Sequence, residues 1–185
     1  MTNWRSTGHR GDALEELILL SNDYYKQQKL GRVDKVNVPI KVIRRNDQGM
    51  IEKAFFEQRS TVDFHGVIQG MPIVFDAKET SLKSIPIQNI HVHQIEYMRD
   101  IDYQGGLAFI IIHYKAYDEF YLIPYEMVWH YYMGSKNGKR KSIPYKAMLD
   151  IFQIKREGYG ILNYLPILNN YVKWKETQNQ FWVSL

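Results

Sequence analysis

The sequence lacks cysteine altogether, which excludes disulfide bonds and metal sites built on thiolates. It also lacks any run of the roughly 20 apolar residues that a helix needs to cross a bilayer. The N-terminal segment carries Arg5, His9 and Arg10 where a signal peptide would have its apolar region. We therefore expect a cytoplasmic protein with no membrane partner, forming a single domain over residues 1–185.

Strong net charge is lacking as well. The formal charge is +4 and the isoelectric point is near 9.1, less basic than a histone-like protein would be. The positive charge is nevertheless clustered. One such cluster is most often a solvated loop, but two clusters on either side of a candidate metal site favour contact with a phosphate backbone. The first cluster is Lys41, Arg44 and Arg45, and the second is Lys136, Lys139, Arg140 and Lys141.

The first part of the sequence predicts a helix followed by a β-hairpin. Apolar positions recur at helical spacing from Gly11 to Gln28. An alternating strand, a basic turn over residues 44–49 and an extended stretch from Ile51 to Phe56 then predict a hairpin over about residues 35–56. Pro39 lies inside the alternating run, which favours an edge strand, so we expect this hairpin to project as a stalk. The alternating residues are Val36, Val38, Ile40 and Val42.

The remaining sequence predicts alternating strands and helices, which indicates an α/β fold with a mixed central sheet flanked by helices. A turn is expected around Gly66 to Gly70, between two strands. The C-terminal segment has no pattern that assigns it. The predicted strands are Ser60–Phe64, Met71–Lys78, Leu107–Tyr114 and Phe120–Ile123, and the predicted helices are Ile90–Asp102, Tyr125–Met133 and Ala147–Phe152.

Two aspartates and a lysine form the candidate site. Asp76 and Lys78 are two residues apart in a predicted strand, so both side chains project from the same face. The predicted turn lets the strand that carries Asp63 fold back beside Asp76. By itself an Asp-x-Lys sequence is usually a surface ion pair. The upstream aspartate and the basic clusters favour a functional site instead.

This set of side chains suits hydrolysis of a phosphodiester. Carboxylate oxygens bind Mg²⁺, which keeps open positions for water and phosphate oxygens. Lys78 is suited to orient the attacking water or to neutralise charge that develops on the phosphate. A third carboxylate from the first helix, Glu15 or Glu16, is expected to complete the metal cage.

Several segments around these residues make the sequence similar to the PD-(D/E)xK nuclease superfamily, and more narrowly to the RecU-type Holliday junction resolvases. They occur in the family order, and the resemblance runs from about Gly8 to Tyr164. The Asp…Asp-x-Lys signature alone is weak, whereas its combination with Lys-Glu-Thr and His-Gln-Ile-Glu is fairly specific. The segments are Arg10-Gly11-x-x-Leu14-Glu15, Glu57 to Gly66, Phe75-Asp76-Ala77-Lys78-Glu79-Thr80, and Pro86 to Asn89 followed by His93-Gln94-Ile95-Glu96.

The resemblance implies a restriction-endonuclease-like fold, a homodimer, dependence on Mg²⁺ or Mn²⁺, and symmetric nicking of four-way DNA junctions during recombination and repair. It implies that Asp63 and Asp76 bind the metal, that Lys78 is the catalytic lysine, and that Glu15 is the helix carboxylate. The hairpin around residues 41–54 matches the stalk that enters the junction. Recombinase or branch-migration proteins are further partners to expect. The DNA-binding residues expected overall are Arg10, Lys41, Arg44, Arg45, Thr61, Gln94, Lys139 and Arg140.

The sequence departs from the family pattern at two positions. The family often has glutamate where Asp76 stands, so the shorter side chain puts the metal geometry in question. The family often has threonine before the first aspartate, where this sequence has Val62, so any role of that hydroxyl is absent or taken by Thr61.

Other readings of the sequence stay open. A zinc site at His91 and His93 is disfavoured, because these residues precede or open a helix, where side chains two apart diverge. A different nuclease of the same superfamily, acting in restriction or repair, would cut linear duplex DNA. A DNA-binding architectural protein would bind junctions without cutting them.

Overall fold

The structure is a computed structural model that describes residues 12–37, 39–56, 61–158 and 160–183, without the side chains of residues 12, 56 and 178–183. The chain alternates between strands and helices. Short 3₁₀ turns occupy Ile87–Asn89, Tyr145–Ala147 and Asp150–Phe152. The helices are α1 (Asp12–Gln27), α2 (Val92–Tyr103), α3 (Tyr125–Lys136) and α4 (Leu165–Val183). The strands are β1 (Gly31–Lys35), β2 (Ile40–Arg45), β3 (Ile51–Phe56), β4 (Phe64–Ile68), β5 (Met71–Thr80), β6 (Ser84–Pro86), β7 (Leu107–Tyr114), β8 (Glu119–Pro124), β9 (Ser142–Pro144), β10 (Gln153–Ile154), β11 (Arg156–Glu157) and β12 (Ile161–Leu162).

The predicted mixed central sheet flanked by helices is confirmed. Six strands lie in the order β1-β4-β5-β7-β8-β10. β5 and β7 run parallel, joined through α2, while the other neighbours are antiparallel. The Leu107–Tyr114 strand is buried on both faces, which explains its unbroken apolar sequence.

Two hydrophobic clusters cover the two faces of the sheet. Side chains of α1 and α4 pack on one face, where the rings of Phe64, Phe75 and Phe109 stack with centroids 4.9 and 4.8 Å apart. Side chains of α2 and α3 pack on the other face against alternate residues of β5 and β7, including Val74 and Ile110. Asp76 follows Val74 by two residues and therefore faces α2.

The hairpin between β2 and β3 forms a two-stranded sheet of its own. Its apolar side chains stay exposed on both strands, with Ile43 at 55% and Phe55 at 47%, so it lies outside the core. The predicted strand over residues 36–42 is wrong in its bounds, because the strand begins at Ile40. The backbone N–H of Val36 instead donates to the carbonyl of Asp63 at 2.8 Å, in the body of the protein. Val38 lies outside the described residues.

Strand β1 was not predicted. Only Val33 of this edge strand is buried, between exposed charged residues, so its sequence has almost no hydrophobic pattern. The predicted strand Ser60–Phe64 is also misplaced, because β4 begins at Phe64 and passes through Gly66. The turn falls at Gln69 and Gly70, whose φ angles of 50° and 85° are typical of a tight hairpin turn.

The C-terminal part differs most from prediction. The expected helix Ala147–Phe152 is wrong: two short 3₁₀ turns occupy this region, separated by extended residues Met148 and Leu149. Helix α4 was not assigned from sequence, and its Tyr171 is fully buried, with the hydroxyl donating to the carbonyl of Ala108 at 3.0 Å. None of the described helices is long and apolar enough to cross a membrane.

Candidate active site

The β4–β5 hairpin brings Asp63 and Asp76 together. Phe64, the first residue of β4, pairs with Phe75, so the register sets Asp63 opposite Asp76. The Oδ2 atom of Asp63 accepts a hydrogen bond from the backbone N–H of Ala77 at 2.9 Å. This bond holds the Asp63 carboxylate against β5, at the residue that follows Asp76. The predicted convergence of the two acids therefore occurs, although Asp63 precedes its strand instead of lying within it.

Lys78 lies beside Asp76 on the same face of β5, as the two-residue spacing predicts. Its ammonium forms an ion pair with Oδ2 of Asp76. The side chain of Asp76 is 0% exposed, whereas that of Lys78 is 21% exposed. The lysine thus places a positive charge between a fully buried acid and the solvent.

Gln94, on the first turn of α2, fixes the second oxygen of Asp76. Its Nε2 donates to Oδ1 of Asp76 at 2.8 Å, and its Oε1 accepts from the backbone N–H of His91 at 3.1 Å. The residue is only 5% exposed. Because both ends of this amide are engaged, Gln94 is placed to set the orientation of the Asp76 carboxylate.

Burial raises the pKa of Asp76 above its ordinary value of 3.8. The Lys78 ammonium acts in the opposite direction, and the neighbouring Asp63 carboxylate raises the pKa further through repulsion and a shared hydrogen bond. Two carboxyl groups in contact, one of them removed from water, repel each other when both are ionised. A cation bound between them would relieve that repulsion.

The donor set fits a hard divalent cation. Oδ2 of Asp76 is buried and accepts no hydrogen bond within the described residues, so beyond the Lys78 ion pair it has free capacity for a ligand. Across residues 12–37, 39–56, 61–158 and 160–183, no three His, Cys, Asp or Glu side chains are gathered as a ready metal cage. Mg²⁺ suits a site of two carboxylates, because it usually keeps several waters and binds substrate phosphates.

Glu15 is not brought to the two aspartates as a third ligand. Its Oε2 pairs with Nζ of Lys35 on β1 at 2.5 Å, and its side chain is 23% exposed. Helix α1 packs on the face of the sheet opposite to α2, whereas the Asp76 side chain turns toward α2. Glu16, the other residue considered, is exposed.

The predicted DNA-binding residues on the hairpin are exposed, and two of them already have partners. Arg44 pairs with Glu52 across the hairpin at 2.7 Å, and Nη1 of Arg45 donates to the carbonyl of Gly49 at 3.0 Å. Lys41 extends into solvent from β2. These contacts hold the guanidinium groups close to the hairpin turn.

The other predicted DNA contacts that the structure describes lie on two separate segments of the chain. Thr61 is half-buried beside the buried Val62. Lys139 and Arg140 are exposed in the loop after α3, where Nε of Arg140 donates to the Ser142 hydroxyl at 3.2 Å. Arg10 and residues 57–60 of the resemblance lie outside the described residues.

His91 and His93 do not diverge as predicted. Their rings stack with centroids 5.4 Å apart and an angle of 9° between planes. His91 is the extended residue before α2, not part of the helix, so the helical rule for side chains two apart does not apply.

The sequence matches the family model described as RecU, Recombination protein U, over residues 9–170. Proteins named Holliday junction resolvase RecU are among its relatives. One from Ligilactobacillus salivarius is 38% identical over 166 residues, covering 87% of this chain and 76% of the relative. One from Staphylococcus carnosus is 35% identical over 177 residues, covering 89% and 82%. One from Streptococcus pneumoniae is 32% identical over 181 residues, covering 94% and 90%.

A solved structure of Hjc, a Holliday junction resolvase from Archaeoglobus fulgidus, also matches, with 10% identity over 63% of this chain and 74% of that chain. Its TM-score of 0.40 is too low to establish a common fold by itself. The family model and the relatives instead agree over most of the sequence, and the family match includes both aspartates, the lysine and Gln94. The chain therefore belongs to the RecU family of recombination proteins.

Proposed function

We propose that this protein is a metal-dependent endonuclease that resolves four-way DNA junctions by paired nicking. The observation that supports this most directly is that Asp63, Asp76 and Lys78 lie together at one point of the sheet. A protein that only binds DNA gains nothing from two acids beside phosphates, because carboxylates repel the backbone. Membership of the RecU family supplies the substrate class.

Asp63 and Asp76 are the residues that would hold Mg²⁺, or Mn²⁺ in its place. The bound ion would acidify a coordinated water and offset negative charge on the phosphate. Lys78 is close enough to the acids and exposed enough to donate hydrogen bonds to the attacking water or to a phosphate oxygen. Gln94 is a positioning residue, since it contacts Asp76 and is shielded from solvent.

Paired nicks in opposing strands require two sites, so we propose that the active form is a homodimer. Arg44 and Arg45 lie near the tip of the exposed hairpin, which is a separate sheet from the one that carries the acids. We propose that this hairpin is the stalk that contacts the junction, while Lys139 and Arg140 contact the DNA backbone nearer the site.

The test incubates the purified protein with a labelled four-way junction or a linear duplex of matching arm sequence, in Mg²⁺ or in EDTA. We expect paired nicks in the junction alone, and only with Mg²⁺. Asp76→Asn should bind the junction and fail to cut it. Asp100→Asn is the matched control, because Asp100 is an exposed acid paired only with its neighbour Arg99 among the described residues.

Other outcomes would redirect the proposal. Cutting of the linear duplex at defined sites would keep the metal site and assign a restriction or repair nuclease. Tight, metal-independent junction binding without any cutting would assign an architectural role. Nicking by Asp76→Asn at the wild-type rate would remove the proposed role of the acid.

A further inference from the structure

A groove of about 360 Å³ lies where the start of α2 meets the end of α3. Its lining includes none of Asp63, Asp76, Lys78 and Gln94, whereas Lys136 and Lys141 belong to the second basic cluster of the sequence. Polar and positively charged side chains line it together with apolar ones. The lining residues are Ile87, Gln88, Ile90, His91, Val92, Tyr132, Ser135, Lys136 and Lys141.

The backbone fixes where the two lysines of the groove are attached. Lys136 is the last residue of α3, and its ammonium lies 5.3 Å from the centre of the Tyr132 ring. Lys141 directly precedes β9, and its carbonyl accepts from the N–H of Ile87 at 3.0 Å, just beyond the β6–β9 pairing. These lysines belong to one basic cluster of the sequence, and the fold places both at the same opening.

The groove is positively charged. No aspartate or glutamate is among the described residues that line it, and neither Lys136 nor Lys141 has an acidic partner in the part of the chain that the structure describes. Both lysines and His91 are exposed. The amino end of α2 adds a partial positive charge to the same opening. These features fit an anion, and the exposed Val92 side chain with the Tyr132 ring gives an apolar wall suited to a sugar.

A short chain of hydrogen bonds connects the groove to the candidate active site. The N–H of His91, in the groove wall, donates to Gln94, and Gln94 donates to Asp76. Only one buried side chain therefore separates the groove from the acid that would act on the DNA.

We infer that this groove binds a second phosphodiester of the DNA, close to the one that is cut, and that Lys136 and Lys141 hold it. The inference rests on the proposed nuclease function, which it extends by naming a second contact with the substrate. Binding there would fix the strand on both sides of Gln94, which aligns the scissile phosphate with the acids.

A purely structural role would have different consequences. Lys136 is at the carboxyl end of α3 and next to Tyr132, where a positive charge stabilises a helix without any ligand. In that case its removal would change stability alone. The experiment must therefore report on individual phosphates.

The variant is Lys136→Gln with Lys141→Gln, and the control is Lys29→Gln with Lys173→Gln. The control removes the same charge from two exposed lysines that lie outside the groove, one after α1 and one on α4. Binding of a labelled four-way junction is measured in EDTA over a range of salt. We expect the groove variant to bind about tenfold more weakly and to lose about one unit of the salt-dependence slope, beyond any change in the control.

A second measurement locates the contact. Single phosphates around the cut position are replaced by neutral methylphosphonates, and wild type and groove variant are compared on each junction. We expect non-additive losses at one or two neighbouring phosphates, with both proteins showing the same thermal unfolding. Equal salt slopes in the groove and control variants, or additive losses at every position, would overturn the inference. Because these are binding measurements, their result is distinct from a failure of wild-type protein to nick the junction.

Discussion

Replacing Asp76 by asparagine should alter how stability depends on pH, apart from its effect on cleavage. The carboxyl is 0% exposed and touches Asp63, so its proton is held more tightly in the folded protein than in the unfolded chain. A raised folded pKa makes a contribution to stability that is complete below the ordinary pKa of 3.8 and is lost as pH rises toward the folded value. Asparagine carries no proton to lose.

The size of the effect follows from the linkage between proton binding and folding. If the carboxyl stays protonated in the folded protein and is ionised in the unfolded chain, the free energy of unfolding falls by about 1.4 kcal/mol for each unit by which the pH rises. Over the interval from about pH 5 to pH 7 the upper limit is thus about 2.7 kcal/mol. The Lys78 ammonium stabilises the ionised form and reduces this, so we expect about 1–2 kcal/mol.

The assay is urea unfolding of wild type and Asp76→Asn in EDTA, at both ends of that interval. Relative to wild type, we expect the free energy of unfolding of the variant to increase by about 1–2 kcal/mol as pH rises over this interval. Replacing EDTA by Mg²⁺ should reduce this difference, because the ion would bind the acids of the wild-type protein. Asp100→Asn is the control, since its carboxyl is exposed. An identical pH dependence for wild type and Asp76→Asn would refute the reasoning, because it would show that the acid ionises as freely in the fold as in water.

Three further predictions follow from single contacts. Gln94→Met should lower single-turnover cleavage roughly 10–100-fold while junction affinity stays within about twofold, because only the orientation of the acid is lost; an unchanged rate would contradict this. Arg44→Gln with Arg45→Gln should weaken junction binding more than duplex binding in a gel-shift titration, and equal losses would count against the stalk. Gly66→Ala should lower the free energy of unfolding by about 1–3 kcal/mol in urea titration, since the new Cβ would lie 2.1 Å from a carbonyl oxygen of β1; a wild-type midpoint would show that β1 can move away.

Sequence patterns were reliable where an element buries many of its residues. Helix α1 was predicted because its apolar residues recur at helical spacing, and the strand Leu107–Tyr114 was predicted because it is an unbroken apolar run. The predicted Asp76–Lys78 juxtaposition also occurs, since the two-residue period of a strand leaves no alternative. The sequence did not predict edge strand β1 or the 3₁₀ turns near Phe152, because each buries too few residues to form a pattern.

The sequence by itself determined the α/β class, the strand that carries Asp76 and Lys78, and the family to which the chain belongs. Only the tertiary structure decided what surrounds the acids. Gln94 reaches Asp76 and Glu15 turns to Lys35 because helices α2 and α1 pack on opposite faces of the sheet. Contacts of this kind depend on how separate elements pack, and spacing along one strand or helix carries no information about that packing.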